Sequence, residues 1–187
     1  LNTGGALYGE PKYLPCDEQH PINPISPYGL SKWTLENYFD LLLPAPAKFT
    51  SLRLANVYGP RQDPEGEAGV VAIFSRRMLD NKEVEIFGDG EQSRDFVYVE
   101  DVSSSVIAAL DTKAQGHINI GSGEQTSVNQ IFKQLSAEIG YVKKPIYEPE
   151  RQGDVRHIYL NATKAEVDLG WTARINLEEG LKQTVNA

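Results

Sequence analysis

The chain has 187 residues, a formal net charge of −8, 40% hydrophobic and 24% charged residues, and one cysteine, Cys16. That is the composition of a soluble globular protein with one large or two small domains, and the acidic balance argues against non-specific affinity for nucleic acid or an anionic membrane surface. A lone cysteine excludes an internal disulfide framework and fits a reducing, cytoplasmic compartment, and there is neither an apolar run of membrane-spanning length nor a signal-peptide pattern.

Residues 1–9 read as the end of a buried strand running into a Gly-rich turn, as though the chain began in mid-fold. Residues 10–27 carry Pro11, Pro15, Pro21, Pro24 and Pro27 and read as loop. Ser26 is a candidate N-cap and Pro27 a candidate first helical residue. The helix that follows spans 28–42, with Leu30, Trp33, Leu41 and Leu42 as candidate buried positions, and Pro44 and Pro46 stop it. A short buried strand covers 49–54, a turn 56–61 and a polar loop 62–69. A helix is expected over 70–79, a strand over 84–87 closed by Gly88-Asp89-Gly90, and extended chain over 95–99. Asp101 is expected to cap a helix to about residue 110, 118–120 to form a strand, and Ser127 to cap a helix to residue 139. Extended chain over 142–149 and short helices near 162–169 and 177–185 complete the pass. Strands alternating with helices predict an α/β sheet.

Chemistry concentrates at Tyr28 and Lys32, which share one helix face a turn apart. A free phenol, with a pKa of about 10, is a poor base at neutral pH. A neighbouring cation favours its phenolate, and a phenol poised for proton transfer suits interconversion of an alcohol and a ketone. The spacing alone is weak; its surroundings strengthen it. His20, His117 and His157 show no metal-ligand spacing and read as surface or structural, and Cys16 lacks the partners of a catalytic thiol.

Six blocks carry a resemblance along almost the whole chain. They are Thr3-Gly4-Gly5-Ala6-Leu7-Tyr8-Gly9-Glu10, Ser26-Pro27-Tyr28-Gly29-Leu30-Ser31-Lys32, the run from Leu52 to Gln62 that contains Arg53, Asn56 and Tyr58-Gly59-Pro60-Arg61, the run from Gly88 to Val99, Asn119-Ile120-Gly121, and Arg151-Gln152-Gly153-Asp154. In this order and spacing the chain resembles the extended short-chain dehydrogenase/reductases, the NAD-dependent nucleotide-sugar epimerases and dehydratases. That family opens with a Gly-rich turn cradling the NAD pyrophosphate at a helix N-terminus. Nothing here fits that turn, and Gly121-Ser122-Gly123 lacks a third glycine. The resemblance therefore implies that the N-terminal NAD-binding half is missing, and that the chain by itself binds NAD poorly and is inactive.

By the same resemblance, Tyr28 is the general base, Lys32 binds the nicotinamide ribose and supports the phenolate, and Thr3 bridges the sugar oxygen and the tyrosine. A hydroxyl residue one position later in some relatives, where Gly4 stands here, leaves the register of Thr3 open. Ala55 falls where relatives contact the nicotinamide carboxamide. Asn56 matches a residue at the substrate diphosphate, Arg94 and Arg151 match arginines that clamp it, and Asp154 resembles the acid on the uridine ribose. Val71, Glu85 and Phe87 fall where relatives enclose the uracil, with core packing the rival reading for Phe87. Tyr58 and Arg61 belong to the signature without a sharp chemical role. Relatives that dehydrate the sugar carry an Asp-Glu pair after their threonine; Gly4 and Gly5 stand there in this chain.

The implied protein is α/β: the C-terminal part of a Rossmann-type parallel sheet, over 1–67 and 100–126, interleaved with a smaller α/β nucleotide-sugar-binding domain over 68–99 and 127–187. The implied activity is NAD-dependent 4-epimerisation of a UDP-hexose. Another nucleotide-sugar reaction, such as epimerisation or decarboxylation of UDP-glucuronate or dehydration of a dTDP-sugar, stays open. The implied partners are a UDP-sugar and a second copy of the chain, with no nucleic acid, membrane or metal.

Overall fold

A computed structural model describes residues 1–44, 46–65, 69–151 and 153–187. Its first part is a parallel three-stranded sheet in the order β1 (Asn2–Thr3), β2 (Thr50–Leu54) and β7 (Gly116–Ile120). Asn2 pairs with Arg53 and Leu52 with Ile118. Between β1 and β2 run a four-residue helix, α1 (Gly5–Tyr8), and the long helix α2 (Pro27–Leu42). The remaining elements are β3 (Asn56–Tyr58), α3 (Val70–Leu79), β4 (Glu85–Phe87), β5 (Ser93–Arg94), β6 (Phe96–Tyr98), α4 (Val99–Thr112), β8 (Thr126–Ser127), α5 (Val128–Ile139), β9 (Ile146–Glu148), α6 (Thr163–Leu169) and α7 (Leu177–Val185). They form three two-stranded ladders: β3 with β6 and β4 with β9, both parallel, and β5 with β8, antiparallel. No helix among the described residues is long and apolar enough to cross a membrane.

Buried side chains gather in three clusters. One joins Leu52, Ile118 and Ile120 of the sheet to Val102 of α4 and to Ala165, Leu169 and Trp171. A second packs Val71, Phe74 and Met78 of α3 against Ile131 and Leu135 of α5, Ile86 of β4 and Leu181 of α7. A third, small cluster of Tyr8, Cys16, Ile158 and Leu160 lies under the Pro-rich loop.

Local sequence sets several boundaries as expected. The Ser26 hydroxyl accepts from Gly29 N at 3.1 Å, with Pro27 at the first helical position. Ser127 and Gln130 form a reciprocal capping box at the start of α5, and Gly140 closes that helix in the left-handed conformation.

Other expectations are corrected. Leu30, Trp33, Leu41 and Leu42 are exposed, and the residues of α2 that are buried are Gly29 and Glu36. The expected turn at 56–61 begins with β3, because Asn56 and Tyr58 find ladder partners in β6. Asp101 is not a cap: Tyr98 is the N-cap residue of α4, and the Asp101 carboxylate is buried, accepting from the amides of Arg174 and Ile175 at 3.1 and 2.9 Å. Strand β9 is shorter than the extended run expected there. His20, by contrast, keeps the structural reading: it is buried, accepting from Lys12 N at 3.0 Å through Nε2 and packing edge-on against Tyr8.

Candidate active site

A cleft of about 560 Å³ opens where β1 and β2 end. Thr3 stands at the C-terminal end of β1, and Leu54 and Ala55 at that of β2, so the cleft occupies the position that open parallel sheets give their ligands. Tyr28 reaches it from the first turn of α2 and is half exposed. Lys32 lies one turn further on, its Nζ 5.7 Å from the Tyr28 ring centroid. Asn2 ties strand to helix: its Oδ1 accepts from Thr3 N at 2.9 Å while its Nδ2 donates to the Lys32 carbonyl at 3.2 Å. Among the described residues, no backbone group takes up the Thr3 hydroxyl.

The cleft continues past Asn56 to Arg94 and Asp154, and these three also line an adjoining recess of about 290 Å³ together with Glu85, Phe87 and Arg151. Arg94 pairs with Asp154, and its Nη1 donates to the Ser93 carbonyl at 2.8 Å. It does not pair with its neighbour Asp95. The Arg151 guanidinium lies over the Phe87 ring, 3.8 Å from its centroid. Glu85 accepts from Arg77 Nη2 at 3.0 Å. Phe87 lines this recess and lies outside the buried clusters.

The structure thus brings Thr3, Tyr28, Ala55, Asn56, Arg94 and Asp154 to one cleft and Glu85, Phe87 and Arg151 to its extension. Lys32 and Val71 line neither: Lys32 stands a turn along α2, against the Tyr28 ring. Val71 is 1% exposed and packed in the α3–α5 core, and it is Val70 that lines the recess. Helical geometry decides this, since adjacent residues on a helix point about 100° apart.

Behind the cleft lies a buried polar network. Glu36 Oε1 accepts from Ser51 Oγ at 2.6 Å and Arg53 Nε at 3.1 Å, and its Oε2 accepts from Arg53 Nη2 at 2.8 Å. Arg53 Nη1 donates to the Tyr8 hydroxyl at 3.2 Å, which donates to Asn119 Oδ1 at 2.7 Å. His117 Nδ1 lies 3.3 Å from Glu36 Oε1. Burial opposes the Glu36 charge, yet His117, Arg53 and Ser51 together hold its carboxyl well below the usual carboxylate range. Burial pushes the Tyr8 phenol up to about 12. Asp95 is a second buried carboxylate, accepting from Ser122 N, Ser122 Oγ, Gly123 N and Leu160 N. Burial pushes it above the usual range although those donors pull the other way. Cys16 is buried, and burial followed by Asp17 pushes its thiol up to about 12, the opposite of an activated nucleophile.

Sequence reasoning gave no part to Glu36, Arg53 or Tyr8. Two signals were available: an arginine inside the apolar run Leu52-Arg53-Leu54, and a glutamate seven residues after Gly29 on the same helix face. Tyr58 proves structural. It is 2% exposed and its hydroxyl lies where a Cβ on Gly180 of α7 would fall.

A parallel α/β sheet with Thr3 and Tyr28 in a cleft at its strand ends, and Lys32 one helical turn from Tyr28, defines a class, and the comparison with known families agrees: the chain belongs to the NAD dependent epimerase/dehydratase family, whose model matches residues 2–121. It is 39% identical over 186 residues to the UDP-glucose 4-epimerase of Mycolicibacterium smegmatis, a match covering 98% of this chain and 59% of that protein. Among solved structures, UDP-glucose 4-epimerase from Thermotoga maritima with UDP-glucose is 52% identical with a TM-score of 0.94, covering 99% of this chain and 60% of that one. The UDP-glucose 4-epimerase of Thermus thermophilus in complex with NAD is 38% identical with a TM-score of 0.86, covering 99% and 61%. The chain spans about 60% of the length of the curated relatives it matches.

The expectation that the family's NAD-binding half is missing is overturned by the match itself. The NAD-dependent family model aligns from residue 2 to residue 121, so its module lies within this chain. The cleft at the strand ends presents the Tyr28 phenol and the edge at Ala55, with Lys32 one turn along α2. The Gly121-Ser122-Gly123 turn does not serve its phosphates, because the amides of Ser122 and Gly123 are spent on Asp95.

Proposed function

We propose that the protein catalyses NAD-dependent 4-epimerisation of a UDP-hexose, interconverting UDP-glucose and UDP-galactose. NAD, held by Tyr28, Lys32 and Ala55, would supply the hydride acceptor for C4 of the sugar and the donor for its return to the opposite face. Tyr28 removes the C4 hydroxyl proton and later restores it; Thr3 hydrogen-bonds the same oxygen, and Lys32 binds the nicotinamide ribose and favours the phenolate electrostatically. Ala55 borders the nicotinamide. Arg94 and Arg151 take the diphosphate, for which a planar guanidinium fork is suited, with Asn56 beside it. Asp154 takes the ribose hydroxyls, and Glu85 and Phe87 border the uracil. In this reading the sheet domain is 1–67 and 100–126, and the nucleotide-sugar domain 68–99 and 127–187.

The observation that carries the reading is that the cleft lined by Thr3, Tyr28 and Arg94 adjoins, through Asn56, Arg94 and Asp154, the recess lined by Arg151. Gly4 favours epimerisation over dehydration. A Cβ there would lie 2.7 Å from Leu160 Cδ1 and 3.2 Å from the Leu54 carbonyl oxygen, so an acidic side chain following Thr3 would have to displace the Leu160 side chain. The relatives named above are UDP-glucose 4-epimerases, which supports the same choice.

The test is to incubate the whole protein with NAD and UDP-galactose. The expected result is UDP-glucose with no net NADH, because the cycle is redox-neutral. A UDP-galactose pool left unchanged while another UDP-sugar is converted overturns the choice of substrate.

A further inference from the structure

Helix α2 carries Tyr28 and Lys32, yet apart from Phe39, which stacks on Phe49, its large apolar side chains are little used to hold it. Leu30, Leu35, Phe39, Leu41 and Leu42 are all exposed. Besides the Asn2 bond to the Lys32 carbonyl, two residues seven apart on one face anchor it. At Gly29 the helix touches the backbone before Tyr8: a Cβ there would lie 2.2 Å from the Ala6 carbonyl oxygen. At Glu36, two turns along, the anchor is the bidentate pair with Arg53 at 2.8 and 3.1 Å, with side-chain exposures of 4% and 5%.

A bare backbone contact at one end sets how near the helix lies. The angle about its own axis needs a directional contact, and a two-pronged ion pair is directional. On a helix about 10–12 Å across, a roll of about 10–15° sweeps side-chain tips by roughly 1–1.5 Å. Arg53 is well placed as the reference. Its third nitrogen holds the Tyr8 hydroxyl at 3.2 Å, so one guanidinium reads both α2, which carries Tyr28, and α1, which follows Thr3 directly.

We propose that the buried Arg53–Glu36 pair is a positioning device, fixing the roll of α2 so that Tyr28 and Lys32 face Thr3 across the cleft. The inference rests on the reading of Tyr28 as the proton-transferring group. A buried ion pair is often no more stabilising than apolar side chains of similar volume. Orientation gives such a pair a role at the sheet–helix contact that apolar packing does not supply.

That property supplies the test. The variant Glu36→Leu/Arg53→Met/Ser51→Ala replaces the pair and its hydroxyl donor with apolar groups in the whole protein. The expected result is a folded protein melting within a few degrees of native. Its UDP affinity is native, its KM for the sugar nucleotide is unchanged and its kcat is lower by about 100-fold, the cost of a misplacement near 1 Å. In the chain without substrate, the Tyr28 ring resonance, assigned by its loss in Tyr28→Phe, moves from its native position. A native kcat together with an unmoved Tyr28 resonance overturns the proposal and leaves the pair a structural contact. If the triple variant does not fold, Glu36→Gln carries the same test: a moved resonance and a lower kcat support the proposal, native values of both overturn it. A native protein that turns over no nucleotide sugar defeats the functional reading, and the Tyr28 resonance then decides the positioning alone.

Discussion

The two ends of the cleft are built on different physics. At the sheet end, the side chains that meet a ligand stand in front of a buried network in which Glu36, Arg53, Tyr8 and Asn119 satisfy one another. At the far end, Arg94, Asp154, Arg151 and Phe87 satisfy one another at the surface of the cleft itself, with Arg151 and Asp154 exposed. Proton transfer tolerates little misplacement, so its groups need a fixed scaffold behind them. Binding a diphosphate needs charge more than fixed geometry, and the arginines can exchange a carboxylate or a ring for phosphate oxygens at modest cost. Under the proposed function, the difference predicts that the sheet end governs turnover and the far end affinity.

Substitutions at each end sharpen that contrast. Tyr28→Phe removes the proton-transferring oxygen and little else, so kcat should fall by about 100- to 10,000-fold while UDP affinity by calorimetry stays native. A matching loss of UDP affinity breaks the division. Arg94→Ala removes a charge-assisted contact worth about 1.5–3 kcal/mol, so UDP should bind about 10- to 100-fold more weakly, with a much smaller change in kcat. Arg94→Lys should fall between, since it keeps the charge but loses the fork.

The smallest effect separates the two ends by pH. The Glu36 carboxyl is held below its unfolded range, so the stability it contributes is full above the unfolded value near 4.3 and is lost as pH falls towards the lower folded value. Melting temperatures of the native protein should therefore drop below about pH 5 more steeply than those of Glu36→Gln, and the two curves should run parallel between about pH 6 and 8. Parallel curves down to acid would mean that Glu36 is not ionised in the fold.

Most of the fold was legible because local rules agreed with it. Ser26 with Pro27, Ser127 with Gln130, and Gly140 mark helix ends by hydrogen bonds made within a few residues. Where the expectation failed, a distant partner had decided. The exposed leucines of α2 follow helical spacing without meeting a core, whereas Asp101 gave up a capping role because the amides of Arg174 and Ile175, some seventy positions along the chain, claimed its carboxylate. Within the site, Thr3, Tyr28, Asn56, Arg94 and Asp154 were legible as residue types in motifs. Val71 was misplaced by one position, which on a helix is the difference between core and cleft.

The sequence by itself determined the helix ends, the α/β alternation and the pair of Tyr28 and Lys32, since four residues on a helix make one turn whatever surrounds them. Only the tertiary structure decided that Thr3 and Arg94, ninety-one positions apart, line one cleft. It also decided that a charged pair on one helix and one strand, Glu36 and Arg53, is buried behind Tyr28 and joined to the element following Thr3. The physical reason is that a buried charge is tolerable only where its partner arrives, and that arrival depends on how strand β2 and helix α2 pack, which no local spacing records.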